Sequence, residues 1–237
     1  MDIYKRAINP YQYDLSDMQW EEEGTKSSPT RTLHYNYHLF KYLKNIKNKS
    51  CLDIGCGTGQ LLDEFKKRGA KKAQGFEPSI KNIKIAKALY PDLKITRSTL
   101  QEFKIKDQFD IITCIMVLVH IPNLKQAFEK FKSLLNENGE LYLIVENFSY
   151  FEKPRHGYEF NIKELNKKEA VIAVKRRYGF TADVIRKIEV YKKVAKKTGL
   201  VLEKEVKLKF TKNLIKAAPR YKSAKNVIIN HLLIYRK

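Results

Sequence analysis

The sequence is poor in cysteine, methionine and tryptophan, and it contains no long apolar run. It has 3 cysteines, 3 methionines and 1 tryptophan in 237 residues. The cysteines, Cys51, Cys56 and Cys114, match no metal-ligand spacing, and so few thiols do not build a disulfide framework. No apolar run approaches the ~18 residues that a membrane-spanning helix requires. The sequence therefore predicts no metal site, no disulfide scaffold and no membrane span.

A signal for export is also missing from the first residues. Residues 1–6 do not show the basic segment followed by an apolar one that secretory signals have. We therefore expect the protein in the cytoplasm, where thiols stay reduced.

Acidic residues are scarce, and the scarcity is uneven along the chain. The formal net charge is +21, from 47 Lys and Arg against 26 Asp and Glu. Residues 150–237 hold 24 of these cations but only 8 of the acids. Such an excess is typical of proteins that bind nucleic acid or acidic ligands, but solvated lysines on helix faces produce the same count. The charge alone leaves both interpretations open.

Apolar runs alternate with amphipathic stretches between residues 49 and 146, which predicts βαβ units around a parallel sheet. Strands are expected at residues 49–54, 73–77, 93–96, 109–115 and 140–145, and helices between them. Residues 148–180 mix aromatic, basic, proline and glycine residues without one period, which indicates an insertion. A lysine-rich helix is expected from about Asp183 to Lys197, followed by two strands, at residues 200–210 and 226–235, that pair as a hairpin.

A glycine-rich turn follows the first predicted strand. Gly55, Gly57 and Gly59 let backbone N–H groups approach a ligand without side chains in the way. Glu77 ends the next predicted strand, where a carboxylate can accept both hydroxyls of a ribose. These residues together predict a cofactor that contains a nucleoside.

The spacing of the glycines discriminates between such cofactors. A dinucleotide fingerprint reads G-x-G-x-x-G, whereas this turn reads G-x-G-x-G with Asp53 two residues ahead. The turn resembles the first motif of class I S-adenosylmethionine-dependent methyltransferases, and the resemblance covers about residues 48–147. It implies a three-layer α/β sandwich with a mostly parallel, doubly wound seven-stranded sheet, an antiparallel C-terminal hairpin and a small insertion after the fifth strand.

The same resemblance implies a set of cofactor-binding residues. Residues 74–79 are similar to the second motif, whose acid holds the ribose, and residues 98–103 to the segment along the adenine edge, with Thr99 where an acid is common. Residues 109–122 are similar to the fourth strand and the loop after it. The implied contacts to S-adenosylmethionine are Asp53, Gly55, Cys56, Gly57, Gly59, Glu77, Pro78, Thr99, Leu100, Ile115 and Met116.

The N-terminal arm adds further candidates. Residues 28–31 resemble the stretch before the first helix of quinone-type O-methyltransferases, in which an arginine pairs with the methionine carboxylate; Arg31 is that candidate, or else an ordinary surface arginine. Trp20 is expected at the cofactor. Tyr11 and Tyr13 are expected to contact the acceptor as part of an aromatic lid, although docking of the arm would explain these rings as well.

His120 is the candidate general base because it follows the fourth strand, whose carboxyl end faces the cofactor in open α/β sheets. A structural role in the loop is the alternative. His156 and Tyr158 lie in the insertion and are expected to contact the acceptor, because such insertions often roof the acceptor pocket; they are otherwise ordinary loop residues.

We therefore predict methyl transfer to an oxygen or nitrogen of a small molecule. The acceptor is acidic if residues 175–177 and 186–187, which are basic, form its binding patch. RNA or DNA methylation stays open as an alternative, although the sequence lacks the motifs of amino-group and C5 methylases after strand four. A non-catalytic partner subunit that keeps the cofactor fold is a further alternative, and the oligomeric state is undetermined.

These expectations divide the chain into four regions. They are an N-terminal arm or lid at residues 1–47, the cofactor-binding core at residues 48–147, a basic cap over the acceptor pocket at residues 148–182, and the last helix with the C-terminal strands at residues 183–237.

Overall fold

A seven-stranded sheet forms the centre of the computed structural model, which describes residues 2–11, 14, 29–152, 160–176 and 179–237. Its strand order is β3-β2-β1-β4-β5-β10-β9. The strands are β1 (Ser50–Ile54), β2 (Lys72–Glu77), β3 (Lys94–Arg97), β4 (Phe109–Ile115), β5 (Leu135–Glu146), β9 (Val201–Leu208) and β10 (Asn230–Arg236). Strands β1 to β5 pair in parallel, and β10 runs antiparallel to both β5 and β9. The predicted α/β class and C-terminal hairpin are confirmed.

Helices cover both faces of this sheet. They are α1 (Ile3–Ala7), a π-helical turn (Arg31–Asn36) that continues into α2 (Tyr37–Tyr42), α3 (Gln60–Lys67), α4 (Ile80–Leu89), α5 (Leu124–Leu134), α6 (Phe148–Phe151), α7 (Ile188–Thr198) and α8 (Lys212–Ala217). The described residues also form two 3₁₀ turns, Leu118–His120 and Pro219–Ala224.

Both faces of the sheet are buried, as its apolar strands predict. Along β5, Leu141, Leu143 and Val145 pack into one cluster with α5 and α7, whereas Tyr142 and Ile144 pack into another with α2 and α3. The carboxyl ends of the parallel strands are left at one edge of the sheet, which is the usual position of a binding site in this architecture.

The insertion forms a separate antiparallel sheet of three strands, in the order β6-β7-β8. These are β6 (Phe160–Asn166), β7 (Glu169–Arg176) and β8 (Gly179–Arg186). One face packs Val171, Ala182 and Val184 against α1, and the other face packs Ile172 and Ile185 against α6. Because apolar residues lie on both faces, the sequence shows no simple alternation.

The helix predicted from about Asp183 was wrong over its first residues. Asp183 and Arg186 lie in β8, and the helix begins at Ile188. The physical reason is the alternation of Val184 and Ile185 between the two apolar clusters, which requires a strand. Strand β8 thus crosses position 182, and the division of the chain into four regions stays a prediction. No helix in the described part of the chain is long and apolar enough to cross a membrane.

Candidate active site

A cavity of about 540 Å³ opens at the carboxyl edge of the central sheet. Gly55 and Gly57 line it after β1, Glu77 at the end of β2, Met116 after β4 and Glu146 at the end of β5. Residues adjacent to four parallel strands therefore meet in one cavity, as the topology predicts.

The backbone geometry of the turn requires glycine at Gly55 and Gly57. Gly55 has φ +63°, and a Cβ there would lie 2.4 Å from Cγ2 of Val117. Gly57 has φ +55° and lines the cavity, and a Cβ added there would lie 3.9 Å from the Arg31 guanidinium. Larger residues would strain the backbone at both positions and clash at Gly55. The turn thus presents bare backbone to the cavity.

Glu77 holds the turn and the start of the next helix together. One carboxylate oxygen accepts the N–H of Gly57 at 2.9 Å, and the other accepts the N–H of Ser79 at 3.0 Å. The side-chain amide of Asn82 lies 3.4 Å from the latter oxygen. This places an oriented carboxylate at the wall of the cavity, where it can accept hydrogen bonds from hydroxyl groups.

Asp53 lies beneath the turn and does not line the cavity. Its Oδ1 accepts the Thr113 hydroxyl at 2.7 Å. Burial raises the pKa of Asp53 to about 6, and the nearby Arg31 and the Thr113 bond only partly offset this rise. Arg31, in contrast, does line the cavity, beside Gly57. Its guanidinium can therefore meet a carboxylate of a ligand at the glycine turn.

Cys56 and Gly59 support the turn from behind. The Sγ of Cys56 would lie 2.9 Å from a Cβ added to Gly75, and burial raises the pKa of the Cys56 thiol well above its ordinary value. A Cβ on Gly59 would lie 2.7 Å from Leu93. Both residues are tightly packed, and neither lines the cavity. The structure therefore brings these two predicted residues near the site but gives them a packing role.

The segment expected along an adenine ring does reach the cavity. Pro78, Thr99 and Leu100 line it, together with Glu102, which the sequence analysis missed. Glu102 Oε2 accepts the Thr99 N–H at 3.2 Å and the Thr99 hydroxyl at 2.9 Å. A carboxylate is thus present three residues after the position where it was sought. The T-x-x-E spacing, typical of a capping box, could have revealed it.

His120 lies on the 3₁₀ turn after β4 and lines the cavity. Its Nδ1 is 3.3 Å from the Ala7 carbonyl and 3.6 Å from Oδ1 of Asp183. Burial lowers the pKa of His120 below its ordinary value, and Asp183 and the Ala7 carbonyl offset part of that fall. The imidazole is therefore neutral at pH 7, as a proton acceptor must be.

Other residues of the cavity come from distant parts of the sequence. Asp183 from β8, Glu146, Tyr35 and Tyr221 all line the cavity, and none was predicted. Tyr35, Asp183 and Tyr221 lie in segments whose position only the folded chain defines, whereas Glu146 ends a predicted strand and could have been found from the topology.

Of the remaining predicted site residues, some line the cavity and the others lie outside the described part of the chain. Tyr11 and Ile115 line the cavity, and so does Met116, which has φ +61° and whose sulfur accepts the Asn230 amide at 3.4 Å. A left-handed methionine at the end of a strand is strained and typical of functional sites. The other four, Tyr13, Trp20, His156 and Tyr158, lie outside the described residues.

The predicted basic patch loses one member. Arg186 is 2% exposed, and its guanidinium donates to the carbonyls of Leu118 and Ile121 and to the Glu169 carboxylate. Its assignment to a patch that binds an acidic acceptor was wrong, because the guanidinium is buried and its donors already meet three acceptors.

Comparison with known proteins gives this cavity a family. A family model described as "Methyltransferase domain" matches residues 30–172, more than half of the chain. The chain belongs to the methyltransferase domain family. The predicted family and its cofactor, S-adenosylmethionine, are thereby confirmed.

The names of individual relatives point to different methyl acceptors. The chain is 32% identical over 112 residues to a tRNA U34 carboxymethyltransferase of Campylobacter hominis, covering 45% of this chain and 39% of that protein. It is 31% identical over 145 residues to a ubiquinone biosynthesis O-methyltransferase of Coxiella burnetii, covering 58% of this chain and 60% of that protein. The chain therefore covers less than two thirds of either relative.

A solved structure shows the same fold over nearly the whole chain. This is the S-adenosylmethionine dependent methyltransferase from Mesorhizobium loti, with a TM-score of 0.67 and 18% identity, covering 90% of this chain and 99% of that one.

The cavity fits this cofactor by its own chemistry. Gly57 exposes bare backbone, Glu77 presents a carboxylate that can accept hydrogen bonds from hydroxyl groups, and Arg31 places a cation beside the glycine turn, where a carboxylate could be bound.

Proposed function

We propose that the chain transfers a methyl group from S-adenosylmethionine to an oxygen or nitrogen of a small molecule. The observation that carries this proposal is that one cavity joins the glycine turn and Glu77 to His120. We call Arg31, Gly55, Gly57, Glu77, Pro78 and residues 99–102 the donor side. We call His120, Glu146, Asp183 and Tyr221 the acceptor side.

The donor side would hold and orient the cofactor. Glu77 would accept the ribose hydroxyls, Arg31 would pair with the methionine carboxylate, and Thr99 and Leu100 would contact the adenine. When bound, S-adenosylmethionine supplies an electrophilic methyl group on a sulfonium. The protein therefore gains most by alignment and by exclusion of water, and few catalytic groups are needed.

On the acceptor side, His120 would take the proton that the acceptor loses. The Ala7 carbonyl can only accept a hydrogen bond, so Nδ1 carries the proton of the neutral ring. In that tautomer the lone pair is on Nε2, which would be the atom that takes a proton from an O–H or N–H group of the acceptor. Such general base catalysis contributes about 100-fold or more to a rate.

The size of the cavity favours a small acceptor. A volume of about 540 Å³ is within the range for a single small-molecule site and is shared by both substrates. The arm at residues 1–47 and the insertion at residues 148–182 would form the roof of the acceptor side. An acidic acceptor has less support than the sequence suggested, because Arg186 is committed to other groups and Glu146 and Asp183 line the acceptor side.

RNA is the second candidate acceptor. It is favoured by the net charge of +21 and by the similarity to an enzyme named for tRNA. A base would have to be flipped into the cavity, with the cations of the C-terminal half along the backbone. We propose the cytoplasm as the location in either case, since all three cysteines are free thiols.

Labelled methyl transfer tests the proposal. An extract of the organism that encodes the chain is separated into small-molecule, RNA and DNA fractions and incubated with the protein and methyl-labelled S-adenosylmethionine. We expect label in the small-molecule fraction, at least tenfold less of it with His120→Gln, and none without protein. Label confined to RNA would replace the proposed acceptor, and label in no fraction would contradict enzymatic activity.

A further inference from the structure

The N-terminal arm lines the cavity between two anchors. At the acceptor side, the Ala7 carbonyl of α1 lies 3.3 Å from Nδ1 of His120. At the donor side, Asp14 accepts hydrogen bonds from the start of α4. Three residues between these anchors line the cavity, namely Ile8, Pro10 and Tyr11. We call residues 7–11 together with Asp14 the strap.

We propose that Asp14 is a positioning residue for the cofactor, which fixes Glu77 through Ser79 and fastens the strap over the donor side. Binding of the cofactor and docking of the strap then favour each other, because such coupling is reciprocal. The inference rests on the proposed role of Glu77 at the ribose. It adds to the donor side a residue that lies 65 positions before Ser79 in the chain.

A continuous chain of hydrogen bonds joins Asp14 to the glycine turn. The Ser79 hydroxyl donates to Oδ1 of Asp14 at 2.7 Å, and the Ser79 N–H donates to Oε1 of Glu77 at 3.0 Å. The other carboxylate oxygen of Glu77 accepts the N–H of Gly57 at 2.9 Å. Because Ser79 is held by Asp14, its N–H is a fixed donor that restrains the rotation of the Glu77 carboxylate. Asp14 thus acts on Glu77 through Ser79.

Asp14 also supplies acceptors that the first turn of α4 needs. The first N–H groups of a helix have no acceptor within the helix, and that end carries a partial positive charge. Oδ2 of Asp14 accepts the N–H of Ile80 at 3.1 Å, and Oδ1 accepts the N–H of Lys81 at 3.3 Å. The Ser79 hydroxyl accepts the N–H of Asn82 at 3.2 Å. A carboxylate from the arm therefore completes the cap of α4, the helix that follows Glu77.

The charge of Asp14 suits this position. Burial alone would raise its pKa, but the hydrogen bonds from Ser79 and from the first turn of α4, together with the charge of Arg97, lower it overall. The carboxylate is therefore ionised at pH 7. Hydrogen bonds to an ionised acceptor are roughly twice as strong as those between neutral groups, so a neutral side chain at this position would hold the helix less firmly.

Tyr11 links this anchor to the cavity wall. The N–H of Asp14 donates to the Tyr11 carbonyl at 2.9 Å, so the two residues belong to one turn. The guanidinium of Arg97, at the end of β3, lies 5.9 Å from the centre of the Tyr11 ring, and its Nε donates to the Pro78 carbonyl at 3.4 Å. Because Tyr11 and Pro78 both line the cavity, a strap that leaves α4 would also remove a wall of the donor side.

Titration calorimetry with S-adenosylhomocysteine tests the role of Asp14. Asp14→Asn keeps the size of the side chain but removes its charge and one acceptor oxygen, and we expect roughly tenfold weaker binding. Asp110→Asn is the matched control. Asp110 likewise accepts a hydroxyl and a backbone N–H, both from Ser50 at 2.8 Å, but it lies at the start of β4, away from the cavity. This variant should bind with native affinity.

Hydrogen exchange in peptides from residues 2–11, measured by mass spectrometry, gives a readout that a merely structural role would not move. In the native protein we expect S-adenosylhomocysteine to slow exchange in these residues by roughly tenfold, because the bound ligand stabilises the docked strap. In Asp14→Asn the ligand should no longer slow exchange. Asp110→Asn should respond as the native protein does.

A second variant keeps the inference testable if Asp14→Asn does not fold. Arg97 is exposed, so Arg97→Gln should not disturb the core. It removes the cation from the Tyr11 ring and should weaken binding about twofold to fivefold. Native affinity in Arg97→Gln would then overturn the fastening of the strap.

Failure of this inference can be distinguished from failure of the proposed function. Native affinity in Asp14→Asn, or ligand-dependent protection of residues 2–11 that survives this substitution, would overturn the role of Asp14. An equal loss of affinity in Asp110→Asn would overturn it as well, since the cause would then be general destabilisation. Native affinity in Glu77→Ala would instead overturn the ribose role on which the inference rests. Absence of binding by the native chain would overturn both proposals together.

Discussion

The donor and acceptor sides of the cavity are built in different ways. Most of the donor side comes from one stretch, residues 55–102, in which Glu77 accepts hydrogen bonds from backbone groups 20 and 2 residues away. On the acceptor side, the turn at His120 is held by Ala7 of α1 and by Arg186 of β8, each more than 60 residues away in the chain. Backbone geometry within one sheet edge thus forms the donor side, whereas packing of a separate sheet forms the acceptor side. The first can be shared among enzymes while the second changes with the substrate.

The largest effect is expected from Gly55→Ala on the donor side. The substitution combines a positive φ with a Cβ 2.4 Å from Val117, and it should lower the free energy of unfolding by roughly 2–4 kcal/mol. Urea denaturation measures the loss. Gly69→Ala is the matched control, because its φ is +78° but its nearest contact would be an ordinary 3.5 Å to Lys47. Equal losses of unfolding free energy in the two variants would show that the close approach to Val117 adds nothing to the cost of the positive φ.

A pH effect is expected at His34, which is linked through Asn230 to Met116 at the wall of the cavity. This buried ring bonds Asn230, which in turn contacts Met116, and burial lowers the pKa of His34 to about 4. Between pH 6.5 and 4 the unfolded chain binds the proton and the folded chain does not, so stability falls as the pH falls through this range. The loss at pH 4.5 relative to pH 7 should be roughly 2–3 kcal/mol.

Urea titrations at the two pH values measure this loss. His34→Gln, which cannot take up the proton, should show a smaller fall than the native chain. An identical fall in both would mean that His34 is not buried as a neutral ring.

A smaller effect is expected from Glu77→Ala, which should weaken cofactor binding on the donor side and leave His120 on the acceptor side unchanged. Loss of the carboxylate should weaken S-adenosylhomocysteine binding by about 1–3 kcal/mol, because the ribose hydroxyls lose their acceptor. Calorimetry measures the affinity. Glu64→Ala, which removes a surface partner of Arg68, is the control and should bind normally. Native affinity in Glu77→Ala would contradict the ribose role of this residue.

The sequence revealed the donor side because its requirements are local. Gly55 and Gly57 are needed for positive φ, and Glu77 follows at the end of the next strand. The acceptor side was found only at His120, which follows a recognisable strand. Asp183 was assigned to a helix, since the strand that carries it is apolar on both faces and shows no alternation. Arg186 was assigned to the basic patch proposed for an acidic acceptor, because burial against carbonyls leaves no mark in the sequence.

The central claim is that this cavity binds a sulfonium nucleoside on its donor side, independently of His120. Titration calorimetry of the native chain and His120→Gln with S-adenosylhomocysteine and with a nicotinamide dinucleotide tests it most directly. We expect both proteins to bind S-adenosylhomocysteine with equal affinity and neither to bind the dinucleotide. Absence of S-adenosylhomocysteine binding by the native chain, or preference for the dinucleotide, would contradict the account.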